Sequence, residues 1–206
     1  MGSRMMHAII SNEILKEIHD ININHFLLGG LAPDAAVNNK EISHFYTGDH
    51  GNFTRRIDYN KFYNKYINYP QRDYILGYYC HLIADDLWLT GFFSPWLKNR
   101  IESDQDILNA YHQDFRLLNV KLAEHYSVDA NAFDLNVPHD LMALEEVEIS
   151  ELKQFLPLLK VDFDYLHGAL EQPLTVFTLE QMIGYIETAV AKSIYFLKDK
   201  TGKGVY

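Results

Sequence analysis

The segment from Gly77 to Trp88 places a histidine and a carboxylate one helical turn apart inside an aromatic and aliphatic run. Residues four positions apart lie on the same face of an α-helix, so His81 and Asp85 can converge on one point. Burying an imidazole and a carboxylate among apolar side chains is costly unless each has a partner. The spacing therefore predicts either a divalent metal site or a His–Asp ion pair inside a helix bundle.

Three further potential ligands lie in apolar or turn-forming surroundings before residue 50. His7 precedes a helix-like run, Asp34 follows two glycines and a proline, and His44 has apolar and aromatic neighbours. Each has an ordinary explanation by itself, as a helix-surface residue, a turn former and a core histidine, respectively. Together with His81 and Asp85 they form a set of three His and two Asp, which suits zinc or a similar metal. A thiolate site is excluded, because the chain has a single cysteine.

The order of these motifs resembles the zinc-dependent phospholipase C family. The motifs are an N-terminal His, Gly-x-x-x-Pro-Asp, Ser-His-Phe and Gly-Tyr-x-x-His-x-x-x-Asp, and they span roughly the first ninety residues. Members of the family are all-helical phosphoesterases, similar in fold to certain single-strand nucleases. The resemblance implies five metal ligands: His7, Asp34, His44, His81 and Asp85. It also implies that Asp85 bridges two ions and that Asp34 is catalytic, helping to activate water.

The chain departs from the family in two respects. Secreted members use their mature N-terminal amino group as a ligand, but residues 1–6 lack the apolar core of a signal peptide and are expected to be a tag remnant or disordered. The second His-rich cluster of trinuclear members is also missing. Its nearest remnant offers His112 as a further metal ligand, with Asp114 as the alternative. One or two ions, with zinc as the first expectation, are therefore predicted.

Composition and charge limit the partners and the location. A chain of 206 residues with 48% hydrophobic residues is long and apolar enough for a single domain over residues 1–206. A net charge of −10 and the lack of a basic stripe argue against a large nucleic acid as partner. A small phosphoester substrate is compatible with this charge, because a bound divalent ion reverses the local potential. No apolar run approaches a transmembrane segment, so a cytoplasmic location is predicted. The oligomeric state is left open.

Hydrophobic periodicity predicts an all-α, single-domain multi-helix bundle. The family resemblance implies that this bundle is similar to the zinc-dependent phospholipase C fold. Helices are predicted over residues 11–20, 59–67, 103–125, 150–160 and 179–198, together with a long helix that starts near Pro70 and ends at Gly91 or Pro95. Residues 29–39 and 47–54 are predicted to be loops, because glycine, proline and asparagine interrupt any helical pattern there. No strand pair is expected.

The function expected from these features is that of a metal-dependent hydrolase, acting on phosphoester bonds through a mono- or dinuclear His/Asp site that activates water. One alternative is a non-catalytic helical module with a structural metal or a buried polar network. A second is an enzyme related to the HD-domain phosphohydrolases, suggested by His19-Asp20. Metal content and a substrate screen would separate these alternatives.

Overall fold

The protein, described by a computed structural model over residues 3–163 and 168–201, is built almost entirely from helices. The helices are α1 (Arg4–Glu17), α2 (Ile23–Ala35), α3 (Lys40–Ser43), α4 (Tyr59–Lys65), α5 (Arg72–Trp88), α6 (Lys98–Ser103), α7 (Gln105–His125), α8 (Ile149–Val161) and α9 (Leu179–Thr201). A π-helix (Leu89–Leu97) joins α5 to α6, and a 3₁₀ turn (Ala130–Phe133) follows α7. These elements confirm the predicted all-α class.

Helix α5 is the central element of the core. Thirteen of its 17 residues are buried, on all sides of the helix. A helix that is apolar all round has to be covered by neighbours, and α1, α2, α4 and α9 all pack against α5. His81 and Asp85 therefore lie in the interior, where unpaired polar groups are least tolerated.

Helices α2 and α5 approach each other closely because glycines meet at their contact. A Cβ atom on Gly77 would lie 2.0 Å from the carbonyl oxygen of Phe26, and one on Gly29 would lie 2.0 Å from that of Tyr74. The expectation of a loop from residue 29 onward is wrong, because α2 continues through Gly29, Gly30 and Pro33 to Ala35. Tertiary packing between the two backbones outweighs the low helix propensity of glycine.

Helix α1 begins earlier than the predicted Ser11. Its N-cap is Ser3, whose hydroxyl accepts a hydrogen bond from the backbone N–H of Met6 at 3.2 Å. Met5 and Met6 are fully buried. The expectation of disorder over residues 1–6 is therefore wrong for residues 3–6, whereas residues 1–2 lie outside the described part of the chain.

The helical path does not end at Gly91 or Pro95, as the sequence suggested. It continues through the π-helix into α6. A proline breaks the regular i→i−4 ladder because it has no N–H, but a π-helix has already left that ladder. The hydroxyl of Thr90 also donates to the carbonyl of Asp86 at 2.8 Å, which satisfies one of the displaced acceptors.

Two smaller expectations also need correction. Strands β1 (Tyr46–Thr47) and β2 (Arg56–Ile57) form a short antiparallel pair where none was expected. Helix α8 begins at Ile149, one residue before the predicted start, and Glu148 caps it, since the backbone N–H of Glu148 donates to the Glu151 side chain at 3.0 Å. In the described part of the chain, no helix is both long enough and apolar enough to cross a lipid bilayer.

Candidate metal centre

Five of the six predicted ligands come together from four places in the sequence. His7 lies on α1, Asp34 in the last turn of α2, His44 directly after α3, and His81 and Asp85 on α5. All five are buried, and Asp34, at 8% exposure, is the most accessible of them. Three histidines and two carboxylates are thus concentrated in the core of a helical protein.

Asp85 lies between the three imidazoles. Its Oδ1 is 3.2 Å from Nε2 of His7, and its Oδ2 is 3.2 Å from Nε2 of His44 and 3.6 Å from Nε2 of His81. The two carboxylate oxygens therefore face different histidines, an arrangement in which one carboxylate can serve two positive centres. Asp85 is fully buried.

Asp34 approaches the same cluster from the side of α2. Its Oδ1 lies 3.6 Å from Nε2 of His44 and 3.6 Å from Nζ of Lys40. Ligand atoms within 4.8 Å of one another form two overlapping groups: His7, Asp34 and His81, and His44, His81 and Asp85. His81 belongs to both groups, so the two candidate positions share a ligand.

Backbone carbonyls fix the tautomer of two of the histidines. Nδ1 of His81 is 2.8 Å from the carbonyl oxygen of Gly30, and Nδ1 of His44 is 3.1 Å from that of Lys40. A carbonyl oxygen can only accept, so Nδ1 carries the proton in both rings. Their Nε2 atoms then point toward the carboxylates, as in metal sites where the second ring nitrogen donates to a carbonyl.

The protonation states of the two histidines differ because their surroundings differ. Burial and the neighbouring His7 lower the pKa of His81 to about 4, so His81 is neutral at pH 7. Burial also disfavours a charged His44, but the nearby carboxylates of Asp34 and Asp85 raise the pKa of His44 above the ordinary 6.5. Of these two imidazoles, His44 is therefore the one whose surroundings favour the charged form.

The two carboxylates are held ionised despite their burial. Desolvation opposes the charge on Asp34, but the neighbouring positive groups, His44 first among them, together outweigh it and hold the pKa of Asp34 well below 3.8. The pKa of Asp85 is likewise well below 3.8, because desolvation is outweighed by neighbouring positive charge, including that from the histidines. Two anionic carboxylates thus share one buried cluster.

His81 carries an unsatisfied buried polar atom. Its Nε2 carries a lone pair and has no hydrogen-bond partner among the described residues, while the nearest carboxylate oxygen lies 3.6 Å away. His7 stacks on the same ring with centroids 3.7 Å apart, and both of its ring nitrogens also lack a hydrogen-bond partner in the described chain. Buried polar atoms left unpaired in this way are costly, and a cation between them and the carboxylates would satisfy them.

The sixth predicted ligand lies elsewhere. His112 is exposed on α7, where it contacts the ring of Tyr111, and it belongs to neither group of potential ligands. Its neighbour Asp114 is buried, but its carboxylate accepts hydrogen bonds from the backbone N–H groups of residues 175–177 at 2.7–3.0 Å. The structure therefore does not bring His112 to the cluster, and Asp114 holds the loop before α9 in place.

The pair behind the second enzyme alternative is also in a different setting. His19 and Asp20 are exposed in the loop between α1 and α2, and Asp20 has a left-handed backbone with φ of 60°. Neither residue lies on a helix, where an HD-type site needs its ligands. The loop position gives no support to a phosphohydrolase of that class.

Two neighbours of the cluster were missed by sequence reasoning. The carbonyl of Gly30 orients His81, and Lys40 contributes both a carbonyl to His44 and an ammonium group near Asp34. Lys40 precedes His44 by four residues, a spacing that brings side chains together on a helix and could have indicated it. The role of Gly30 depends on the contact between α2 and α5 and has no signal in the sequence.

An all-α fold with a buried cluster of three His and two Asp is compatible with the class of helical proteins that hold a metal ion. Residues 6–88 match the family model described as zinc dependent phospholipase C. The match contains all five residues of the cluster, supports membership of the chain in this family and confirms the resemblance seen in the sequence motifs. No curated protein and no solved structure matches the chain. Family and cluster together suggest a metal-dependent hydrolase.

Proposed function

We propose that this protein hydrolyses phosphoester bonds with one or two zinc ions held in the buried cluster. The proposed ligands are His7, Asp34, His44, His81 and Asp85. The observation that carries the proposal is the bare Nε2 of His81, a buried lone pair that faces a carboxylate without a hydrogen-bond partner in the described chain. A cation at this position removes the repulsion between lone pair and anion.

The donor set fits zinc in its chemistry. Imidazole nitrogens and carboxylate oxygens are zinc ligands, and a second-shell hydrogen bond such as that from His81 to Gly30 is typical of them. His81 is neutral at pH 7, as a ligand must be, because burial lowers its pKa to about 4. Metal binding would release the Nε2 proton of His44, since the proton and the metal compete for the same lone pair.

When bound, zinc lowers the pKa of a coordinated water to about 7 and stabilises negative charge on a phosphoryl group. Among the five residues, Asp34 suits the catalytic role because it is the most exposed, at 8%. Its carboxylate is ionised, since His44 and the other neighbouring positive groups together outweigh desolvation and keep its pKa well below 3.8. One of its oxygens can therefore accept a proton from the attacking water while the other residues stay fixed.

The substrate proposed here is a small phosphoester. The cluster is buried, so a reacting phosphate has to reach it through a local opening beside Asp34, which a folded nucleic acid does not fit. The acidic chain, with a net charge of −10, also disfavours such a partner. A cytoplasmic location stays a prediction from the sequence.

The test combines metal content with a substrate screen. Wild-type protein is expected to carry about one or two zinc ions per chain and to hydrolyse at least one simple phosphomonoester or phosphodiester. His81→Ala should lower both the zinc content and the activity, whereas His112→Ala, at the exposed histidine, should leave both unchanged. Absence of tightly bound divalent metal, together with unchanged activity of His81→Ala, would refute the proposal.

A second candidate is a non-catalytic module with a structural metal. Its support is the burial of the cluster, in which His7, His44, His81 and Asp85 are each at most 2% exposed. Structural zinc sites are closed by protein ligands, whereas catalytic sites keep a position open. Full zinc occupancy with no activity on any phosphoester would favour this candidate.

A further inference from the structure

A pocket of about 310 Å³ opens beside the metal centre. Asp34 is the cluster residue that lines it, and α1, α7 and α8 contribute Arg4, Asn119 and Phe155. Lys40, at the start of α3, and Val37 complete the side nearest Asp34. The pocket therefore connects solvent with Asp34, the most exposed ligand of the cluster.

The cations of this pocket are not equivalent. Arg4 is held by a bidentate pair with Asp162, with Nε–Oδ2 and Nη2–Oδ1 distances of 2.7 and 3.0 Å, and its guanidinium lies over the ring of Phe155. Its charge is therefore neutralised and its position fixed. Lys40 is 57% exposed at its side chain and reaches Asp34 at 3.6 Å, which is too long for a strong hydrogen bond.

A metal in the cluster changes the charge that Lys40 meets. Lys40 and Arg4 balance Asp34 and Asp162 in the pocket, so its lining is close to neutral without metal. Once Asp34 shares its charge with a divalent ion, the lining becomes positive and the ammonium group of Lys40 is left to pair with another anion. A suitable anion is the phosphate group of the substrate on which the metal centre would act.

We infer that this pocket binds the phosphate group of the substrate and that Lys40 is the residue that contacts its charged oxygens. The inference rests on the proposed function and adds the substrate-binding residue to it. A pocket at the lower end of the range of about 300–1,000 Å³ for small ligands suits a small phosphoester. Val37 and Phe155 supply apolar surface for the part of the substrate beyond the phosphate, and the Ser3 hydroxyl, 2.7 Å from Oδ1 of Asn119, leaves the Asn119 amide N–H groups as donors.

The test measures binding of inorganic phosphate to the zinc-loaded protein by titration calorimetry. Lys40→Met should weaken phosphate binding about fivefold, as expected for loss of one partly exposed ion pair, and Lys40→Arg should stay within about twofold of wild type. Lys16→Met is a matched control, because Lys16 is 55% exposed and also pairs with a carboxylate, that of Glu13. This control should bind phosphate like the wild type. Zinc content should be equal in all four proteins.

The outcomes separate this inference from the proposed function. Normal zinc content with unchanged phosphate affinity in Lys40→Met would overturn the role of Lys40 alone. Zinc-loaded wild type that binds no phosphate would overturn the pocket assignment and leave the metal centre standing. Wild type that takes up no zinc would overturn the proposed function, and the inference with it.

Discussion

The contact between α2 and α5 should not tolerate a side chain at Gly77. In Gly77→Ala the new Cβ would lie 2.0 Å from the carbonyl oxygen of Phe26 and 2.9 Å from the backbone nitrogen of Gly30. Ordinary contacts begin at 3.4 Å, so the two backbones have to separate by more than 1 Å. Neither neighbour can rotate away, because both atoms belong to the helix backbone.

The cost of this substitution follows from three contributions. Overpacking costs about 1–3 kcal/mol, and moving α2 away from α5 strains the hydrogen bond from His81 to Gly30, whose loss costs about 1–3 kcal/mol. Alanine regains about 1 kcal/mol through its better helix propensity. A net loss of about 3 kcal/mol in the free energy of unfolding is therefore expected, together with weaker zinc binding.

A second glycine provides the control. Gly184 lies on α9, is exposed, and a Cβ atom built there meets nothing within 4 Å. Gly184→Ala should therefore raise the free energy of unfolding by about 0.5–1 kcal/mol and leave zinc binding unchanged. Urea denaturation of the two variants and of the wild type measures the two changes in the free energy of unfolding. If Gly77→Ala is as stable as Gly184→Ala, the backbones of α2 and α5 do not lie this close together.

Three further predictions concern the cluster and its surroundings. Asp114→Asn should lower the free energy of unfolding by about 2 kcal/mol, because the buried carboxylate accepts hydrogen bonds from several backbone N–H groups. The zinc content of this variant should equal that of the wild type. Loss of zinc would instead indicate that Asp114 is a metal ligand. Chelation should lower the melting temperature of the wild type by about 5–10 °C but leave that of His81→Ala unchanged, and an equal shift in both would place the metal elsewhere. The stability of the metal-free protein should peak near pH 6.5 in thermal unfolding. Burial lowers the pKa of His81 to about 4, so stability is lost as the pH falls from 6.5 toward 4. Burial opposes a charge on His44, but Asp34 and Asp85 raise its pKa, so stability is lost as the pH rises above 6.5; a steady increase from about pH 6 to 8 would contradict this reasoning.

Local spacing was a reliable guide where the chemistry lies within one helix. His81 and Asp85 share a face of α5, as the four-residue interval requires, and their Nε2–Oδ2 distance is 3.6 Å. The capping box of α9 is equally local, since the backbone N–H of Thr178 donates to Gln181 at 2.9 Å and that of Gln181 to Thr178 at 3.2 Å. Such features depend on backbone geometry over a few residues, so they can be predicted without the rest of the fold.

Predictions from local sequence were wrong or undecided where contacts with a distant segment determined the structure. Gly29, Gly30 and Pro33 are poor helix residues, yet α2 includes them because its backbone packs against that of α5. His112 and Asp114 lie two residues apart on α7, and the sequence could not tell which of them would face inward. Asp114 is drawn inward by the backbone N–H groups of residues 175–177, about sixty residues later in the chain.

The sequence by itself determined the helical class and the ligand types, because both follow from residue identity and periodicity along the chain. Tertiary structure alone decided which ionisable groups share one buried volume, which ring nitrogen of each histidine faces the carboxylates, and that Lys40 stands at the entrance. These properties depend on distances between helices, of which the close approach of α2 and α5 at their glycines is the clearest case. No local pattern contains that information, because the energy that fixes it comes from atoms far apart in the sequence.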